Sequence, residues 1–251
     1  MDANRPIVLS IAGFDPCAGA GILADIKTFE QHKVYGAGIN TALTLQTEND
    51  FISISWEGDN TILQSLKMML STYDVKAVKI GIIENINVLN QVVSCIHQKN
   101  TAIKIVVDTV IKSSSGFNFW NEQMNEDTLS RILSKIFLIT PNYNEVLQLM
   151  PSSDAKESAK RLSAYCNVLL KGGHNEEELG TDYLFTKNDI ERLAGNRDEM
   201  SPKHGSGCVL SAAITANLAL GFGLSVSCIN AKKYIEQFLS SNKTLLGYHH
   251  V

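Results

Sequence analysis

Short runs of apolar residues alternate along the chain with longer segments in which apolar residues recur every three or four positions. Residues 7–12 form the first run, and residues 22–32 follow with Ile22, Ile26 and Phe29 on one helical face. Further runs of strand length cover residues 38–43, 77–80, 103–107, 137–139 and 168–170. Helical patterns cover residues 62–70, 88–97, 129–133, 142–149, 155–165, 207–220 and 228–239. Residues 181–185 are predicted to form an antiparallel edge strand.

Strands that alternate with helices predict βαβ units, and therefore a mostly parallel sheet with helices on both faces. We find no sequence repeat and no linker rich in Pro, Gly or Ser, so we predict one α/β domain over residues 1–251. In such sheets, ligands bind at the carboxyl ends of the strands. We therefore expect the chemistry to lie in the loops that follow the strands.

The charge balance and the cysteines narrow the class of protein. Lys plus Arg number 22 and Asp plus Glu number 26, a net charge of −4, which argues against a nucleic-acid or anionic-membrane partner. The five cysteines are an odd number without the spacing of a metal knuckle, which favours a reduced cytoplasmic protein. No apolar run reaches the length of a membrane span.

The strongest local motif is the segment from His204 to Cys208, which opens the predicted helix over 207–220. Gly205 and Gly207 flank Ser206, and such a helix start exposes backbone N–H groups that can hold a phosphoryl group. No Lys follows, so this is not the usual P-loop. Cys208 lies at the positive end of the helix, where we expect the pKa of a thiol to fall. The alternative is a small buried Cys at a glycine-rich helix start.

A second glycine-rich loop, residues 13–21, follows the first strand. Gly19, Gly21 and Ala24 match a dinucleotide fingerprint, but the loop is too long for that tight turn and the acidic residue that the fingerprint requires is missing. The two remaining interpretations are a flexible turn with a helix cap and a loop whose backbone lies against a small ligand.

Acidic and amide side chains follow two other strands. Asp108 follows residues 103–107, and Asn142 and Glu145 follow residues 137–139. Asn142 and Glu145 have the spacing of a helix capping box. Together with Asp108, they equally suit a magnesium ion, which prefers oxygen ligands and keeps several waters.

Taken together, these loops resemble the hydroxymethylpyrimidine/phosphomethylpyrimidine kinases, enzymes of thiamine biosynthesis with a ribokinase-like fold. The resemblance runs from about residue 7 to residue 247. Its blocks are SIAGFDP with GAG at 10–21, ADIKTF at 24–29, VYG at 34–36, TALTLQ at 41–46, KIG at 79–81, TPN with Glu145 at 140–145, LKGGH at 170–174 and HGSGC at 204–208. The chain departs from the family pattern at Cys17, Ala18, Thr109 and Ser206.

The resemblance implies a role for each loop in substrate binding. The pyrimidine would lie against Gly13, Ala20 and Asp25, with Gln46 reading its polar edge. Ile82 and Val110 would supply apolar walls.

The resemblance also implies the phosphate side of the site, with ATP and Mg²⁺ as cofactors. Asp108, Asn142, Lys171 and Gly173 would bind ATP, and Glu145 and Asp108 would serve the metal, directly or through water. The backbone of Gly205, Ser206 and Gly207 would form the anion hole. Cys208 takes the place of the Asp that serves as the base in many ribokinase relatives. There the helix N-terminus would favour the thiolate, and the negative charge of the triphosphate would disfavour it.

The resemblance further suggests a homodimer and the phosphorylation of both the hydroxymethylpyrimidine and its monophosphate. Two alternatives stay open. One is a pyridoxal or pyridoxine kinase on the same scaffold, although the amide of Gln46, a donor and an acceptor, favours the aminopyrimidine. The other is a catalytically silent binding protein, against which the intact Asp108, Glu145 and Cys208 argue.

Overall fold

A single twisted sheet contains every strand of the residues that the computed structural model describes, which are 5–109, 126–173, 178–195 and 200–249. The strands are β1 (Ile7–Phe14), β2 (Tyr35–Gln46), β3 (Phe51–Trp56), β4 (Val75–Ile80), β5 (Lys104–Val107), β6 (Leu138–Ile139), β7 (Asn167–Leu170), β8 (Asp182–Phe185) and β9 (Ile190–Leu193). Their order in the sheet is β3-β2-β1-β4-β5-β6-β7-β8-β9.

The centre of the sheet is parallel and its two ends are antiparallel. β2, β1, β4, β5, β6 and β7 pair in parallel, whereas β3 pairs antiparallel with β2, and β8 and β9 continue antiparallel from β7. The central strands are short apolar runs buried on both faces, as expected when helices cover both sides of a parallel sheet. The predicted fold class is therefore confirmed.

Helices pack on both faces because successive residues of each strand point to opposite sides. The helices are α1 (Gly21–Gln31), α2 (Asp59–Thr72), α3 (Ile86–Lys99), α4 (Glu126–Leu133), α5 (Tyr143–Leu149), α6 (Ala155–Leu162), α7 (Ser206–Ala219) and α8 (Leu224–Ser240). Leu9 and Ile11 of β1 join the core beneath α2 to α6, while Val8 joins the core beneath α1 and α7.

Helix α7 lies at the centre of its layer. Every residue from Val209 to Leu218 is buried, because α7 contacts α1, α8 and the strands β1, β4 and β5. Its three polar side chains in this stretch, Ser211, Thr215 and Asn217, each donate to a backbone carbonyl one turn earlier, so the helix can be buried on all sides. This burial fixes the start of α7, with its glycines, at the carboxyl edge of the sheet.

The two ends of the sheet differ from what the sequence predicts, because each has a strand that was not expected, β9 at one end and β3 at the other. Residues 181–185 were expected to form an edge strand, but β9 pairs with the outer side of β8, so the edge assignment is wrong. The antiparallel direction of β8 is confirmed. Strand β3 alternates polar and apolar residues and was not predicted, because half-exposed strands lack the continuous apolar run of the central ones.

Candidate active site

The loop between β1 and α1 is held in one conformation by the Asp15 carboxylate. It accepts hydrogen bonds from the backbone N–H groups of Cys17 at 3.0 Å, Gly19 at 3.1 Å and Ala20 at 2.8 Å. Burial would raise the pKa of Asp15, but hydrogen bonds from His204, Cys17 and Ala20 lower it to about 2. The loop is therefore an ordered backbone surface around a fixed negative charge.

Two glycines let this loop approach its neighbours closely. Gly21 has φ +60°, and a Cβ there would lie 2.2 Å from the carbonyl oxygen of Gly13. Gly205 has φ +74° as the N-cap of α7, and a Cβ there would lie 2.0 Å from the carbonyl oxygen of Gly19. The two glycine-rich segments singled out in the sequence thus form one continuous wall.

The first turn of α7 faces a buried carboxylate and an ammonium group. A Cβ on Gly207 would lie 3.4 Å from both Asp108 Oδ2 and Lys171 Nζ. Lys171 Nζ donates to Asp108 Oδ1 at 2.9 Å and lies 4.0 Å from Glu145 Oε2. The ends of β5, β6 and β7 thus bring their polar residues to the helix N-terminus, as expected at the carboxyl edge of a parallel sheet.

Lys171 favours the ionised form of both carboxyl groups in this cluster, whereas Asp108 disfavours the ionised form of Glu145. Burial would raise the pKa of Asp108, but Lys171 and Lys79 hold it below its usual range. Burial raises the pKa of Glu145, and Lys171 counteracts that rise only in part. At neutral pH Asp108 is therefore the more firmly ionised of the two carboxyl groups.

Asn142 and Glu145 form the capping box that their spacing predicts. The side chain of Asn142 accepts from the backbone N–H of Glu145 at 2.9 Å, and Glu145 Oε2 accepts from the backbone N–H of Asn142 at 2.8 Å. Capping does not exclude the other interpretation, because a carboxylate oxygen has lone pairs beyond those that the cap uses. The metal and ATP roles of these residues stay predictions.

Cys208 differs from the expectation drawn from its helix position. Burial raises the pKa of its thiol to about 11, an effect that Lys79 opposes and that Asp25 and Asp108 reinforce. The expected fall in pKa is therefore wrong, because the loss of water around the thiolate outweighs the field of the helix end. Before substrates bind, the thiol keeps its proton at neutral pH.

Beneath the site lies an ion pair that sequence reasoning missed. Lys79 Nζ donates to both carboxylate oxygens of Asp25, at 2.9 and 2.8 Å, and both side chains are fully buried. Ser10 Oγ donates to the same carboxylate at 2.5 Å. Burial alone would lower the pKa of Lys79, but Asp25 raises it above its usual range. The only sequence signal was a Lys inside a strand of otherwise buried residues.

The other predicted site residues differ in what they contact and in how exposed they are. Gly13 touches Ile82, since a Cβ on Gly13 would lie 2.4 Å from the Ile82 side chain. Ala20 borders Gly205, with its Cα 2.7 Å from the position of a Gly205 Cβ. Gln46 ends β2 and is partly exposed, and Gly173 is exposed. Val110 lies outside the described residues, and the predicted substrate residue Asp25 has its carboxylate engaged in the ion pair.

Known proteins of one family resemble this chain over nearly its whole length. The family model for phosphomethylpyrimidine kinase matches residues 15–251. The chain belongs to the phosphomethylpyrimidine kinase family. The hydroxymethylpyrimidine/phosphomethylpyrimidine kinase of Rhizobium meliloti is 32% identical over 243 residues, which cover 94% of this chain and 91% of that protein.

Solved structures show the same fold in two kinds of vitamin kinase. A phosphomethylpyrimidine kinase from Clostridium difficile 630 has a TM-score of 0.77 at 28% identity, covering 92% of this chain and 98% of that one. The pyridoxal kinase of Staphylococcus aureus in complex with ADP has a TM-score of 0.83 at 25% identity, covering 95% of this chain and 89% of that one. This member of the family is therefore a kinase with a ribokinase-like fold. In the part of the chain that the structure describes, no helix is both long and apolar enough to cross a membrane.

Proposed function

We propose that this kinase transfers the γ-phosphoryl group of ATP to the hydroxymethyl group of 4-amino-5-hydroxymethyl-2-methylpyrimidine, and then a second phosphoryl group to the resulting monophosphate. The relatives named for both activities match almost the whole chain, which supports this substrate class. One arrangement in the site carries the proposal. The start of α7, a buried ionised carboxylate and an ammonium group meet at Gly207.

That arrangement suits phosphoryl transfer, which depends mostly on positioning and on stabilising charge. The backbone N–H groups of Gly205, Ser206 and Gly207 would face the transferred group, because the first N–H groups of a helix have no partners within it. That of Ser206 would exchange its 3.4 Å hydrogen bond to the carbonyl oxygen of Lys203 for the phosphoryl oxygen. Lys171 and Asp108 would orient the triphosphate, with Asn142 and Gly173 on the nucleotide side. The attacking hydroxyl would lose its proton to the thiolate form of Cys208, the minor form at neutral pH, as its oxygen forms the new bond to phosphorus and ADP leaves.

The substrate side of the site is the wall made by the β1–α1 loop. Gly13 and Ala20 present backbone without bulk, and the Ile82 side chain lies directly over Gly13. We assign the flat faces of the pyrimidine to this surface and its amino edge to the amide of Gln46. Asp25 would act from beneath the substrate, by holding Lys79 in place, and Val110 would complete the apolar wall.

The donor set at the ends of β5 and β6 fits a magnesium ion. Asp108 and Glu145 offer carboxylate oxygens, the ligands that Mg²⁺ prefers, and both lie within 4.0 Å of Lys171 Nζ. These two residues would hold the ion, directly or through its waters. The bound ion would supply positive charge to the triphosphate. The capping box keeps Glu145 in place for this role.

We also propose that the chain acts as one domain, in the cytoplasm, and as a homodimer. The hairpin of β2 and β3 carries exposed apolar side chains, among them Leu43, Leu45 and Ile52, the last 70% exposed. Exposed apolar patches of this kind are typical of protein–protein interfaces. Sedimentation of the full chain tests this, since a monomer at micromolar concentration would contradict it.

Pyridoxal is the second candidate substrate, because structures of the pyridoxal kinase from Staphylococcus aureus, one of them with pyridoxal, are among the similar structures. ATP consumption should be measured with hydroxymethylpyrimidine, its monophosphate and pyridoxal in parallel. We expect a higher kcat/KM for the two pyrimidines. A kcat/KM for pyridoxal that equals or exceeds them would contradict the proposal.

The variant Gln46→Leu tests the assigned recognition. If the amide of Gln46 hydrogen-bonds the substrate, its removal leaves the polar edge of the substrate without a partner, which costs about 1–3 kcal/mol of binding free energy. We therefore expect KM for the pyrimidine to rise about 5- to 150-fold, with the nucleotide KM unchanged. An unchanged pyrimidine KM would show that Gln46 does not touch the substrate.

A further inference from the structure

Three side chains of different chemistry converge where the β1–α1 loop meets the segment before α7. Asp15, Cys17 and His204 each present one ligand atom, and these atoms all lie within 4.8 Å of one another. Cys17 Sγ lies 3.1 and 3.2 Å from the two oxygens of Asp15, and His204 Nε2 lies 3.0 Å from Asp15 Oδ2. Among the described residues, this is the one group of three or more such side chains close enough to hold a metal ion.

The spacing approaches that of three ligands on a tetrahedral metal. Ligand atoms bound to Zn²⁺ at about 2.0–2.3 Å stand about 3.3–3.7 Å apart on a tetrahedron. The two sides that meet at Asp15 Oδ2, 3.2 Å to Cys17 Sγ and 3.0 Å to His204 Nε2, fall slightly below that range, and the third side is at most 4.8 Å. An ion would therefore need the two short sides to lengthen by a few tenths of an ångström and the third side to lie at about 3.3–3.7 Å.

The chemistry of the three ligands selects a soft or borderline ion. A thiolate and an imidazole suit Zn²⁺, whereas Mg²⁺ and Ca²⁺ prefer oxygen. The orientation of the carboxylate is already fixed by the backbone N–H groups of Gly19 and Ala20, the kind of outer support that metal ligands receive in proteins. Asp15 is buried, and Cys17 and His204 are partly exposed, so a fourth position is open to solvent.

We propose that Zn²⁺ binds to Asp15, Cys17 and His204, with water as its fourth ligand. On binding, the Cys17 Sγ–H bond breaks and its proton leaves to solvent, while Sγ, the Asp15 carboxylate and Nε2 of neutral His204 donate lone pairs to the ion. The two hydrogen bonds to Asp15 are replaced by metal–ligand bonds. No oxidation or reduction takes place.

A metal at this position would fasten two parts of the protein that lie far apart in the sequence. Asp15 and Cys17 belong to the loop between Gly13 and Gly21, and His204 directly precedes Gly205. The site is distinct from the carboxylates proposed for Mg²⁺. Because Zn²⁺ would bind the folded chain and not the unfolded one, we expect it to stabilise the folded chain.

Titration with Co²⁺, a spectroscopic substitute for Zn²⁺, tests the proposal. The reduced, metal-free full chain is titrated in the presence of excess Mg²⁺. We expect saturation at one equivalent, a thiolate-to-cobalt charge-transfer band in the near ultraviolet, and loss of that band when Zn²⁺ is added. We also expect Zn²⁺ to raise the Tm of the wild-type chain.

Cys17→Ser is the decisive variant, because its hydroxyl can still donate to Asp15 and hold the loop. We expect it to fold, to lose the charge-transfer band, and to bind Zn²⁺ at least about tenfold more weakly. Cys95→Ser and Cys208→Ser are the matched controls for two other partly exposed thiols, and we expect both to keep the band. Absence of saturable binding in the wild type, a band that survives in Cys17→Ser, or a band lost in Cys208→Ser would overturn the proposal.

Discussion

Gly205 and Gly19 touch through their backbones, although 186 positions separate them in the sequence. A Cβ on Gly205 would lie 2.0 Å from the carbonyl oxygen of Gly19, and Gly205 also has φ +74°. The start of α7 and the β1–α1 loop therefore depend on each other. The proposed anion hole can keep its shape only while both segments carry small residues at this contact.

Gly205→Ala should consequently disrupt the site. Gly221 is a matched control, because it has φ +89° with nothing within 4 Å of its Cβ position. Gly221→Ala should cost only the backbone strain of about 1 kcal/mol. We expect Gly205→Ala to cost more free energy of unfolding and to lower kcat at least about 100-fold. Equal losses of stability and equal kcat in the two variants would contradict the contact.

Cys208 should impose a pH dependence on turnover if it accepts the hydroxyl proton. Burial raises the pKa of its thiol to about 11, so the thiolate fraction of the free enzyme grows about tenfold per pH unit below that value. We therefore expect kcat/KM to rise with pH between about 6 and 9. In Cys208→Asp the carboxyl group has an intrinsic pKa about 4–5 units below that of a thiol, so kcat/KM should be lower and should depend less on pH in this range.

If Cys208 acts as a general base, its contribution to kcat has the size that is usual for general-base catalysis. Cys208→Ala should lower kcat by about 10²–10⁴-fold while the nucleotide affinity is largely retained. Cys208→Ser should be nearly as damaging, because a hydroxyl has a much higher pKa than a thiol. Circular dichroism checks that each variant is folded. A folded Ala variant with near wild-type kcat would assign Cys208 to packing alone.

The buried pair of Lys79 and Asp25 should matter for stability far more than a surface pair does. Lys79→Met leaves the Asp25 carboxylate buried without its cation, a loss of about 3–5 kcal/mol. Lys76 pairs with Asp74 at the surface, so Lys76→Met should cost less than about 1 kcal/mol. The double variant Lys79→Met with Asp25→Leu should regain part of the loss. Denaturant unfolding of the four chains measures this, and equal losses in the two single variants would refute it.

Glu145 allows its two roles to be separated. Glu145→Gln can still accept the hydrogen bond of the capping box, since Gln serves at that position too. We expect the helix content and Tm to stay unchanged while the Mg²⁺ concentration for half-maximal rate rises at least about tenfold. Asn142→Ala is the control for the cap, at about 1 kcal/mol of stability. A loss of helix content in Glu145→Gln would leave capping as its only role.

Periodicity determined the central fold of this protein. Buried parallel strands must be apolar on both faces, so β1, β4, β5, β6 and β7 are visible as apolar runs without any knowledge of their partners. The order of the loops also placed Asp108 and Lys171 at one edge, because parallel strands deliver their carboxyl ends together. The capping box of Asn142 and Glu145 is local in sequence, which is why its spacing predicted it.

Tertiary structure decided what depends on partners distant in sequence. Strands β3 and β9 form because a neighbouring strand satisfies the hydrogen bonds of their backbone groups. Their own residue patterns are too short or too polar to predict a strand. The ionisation of Cys208 depends on how much water the folded chain removes, an amount that its place at a helix start does not reveal. The pairing of Lys79 with Asp25 and the meeting of Cys17 with His204 likewise arise only when the sheet brings separate loops together. Short-range patterns thus specify elements, while burial and contacts across the fold set the charges that the chemistry uses.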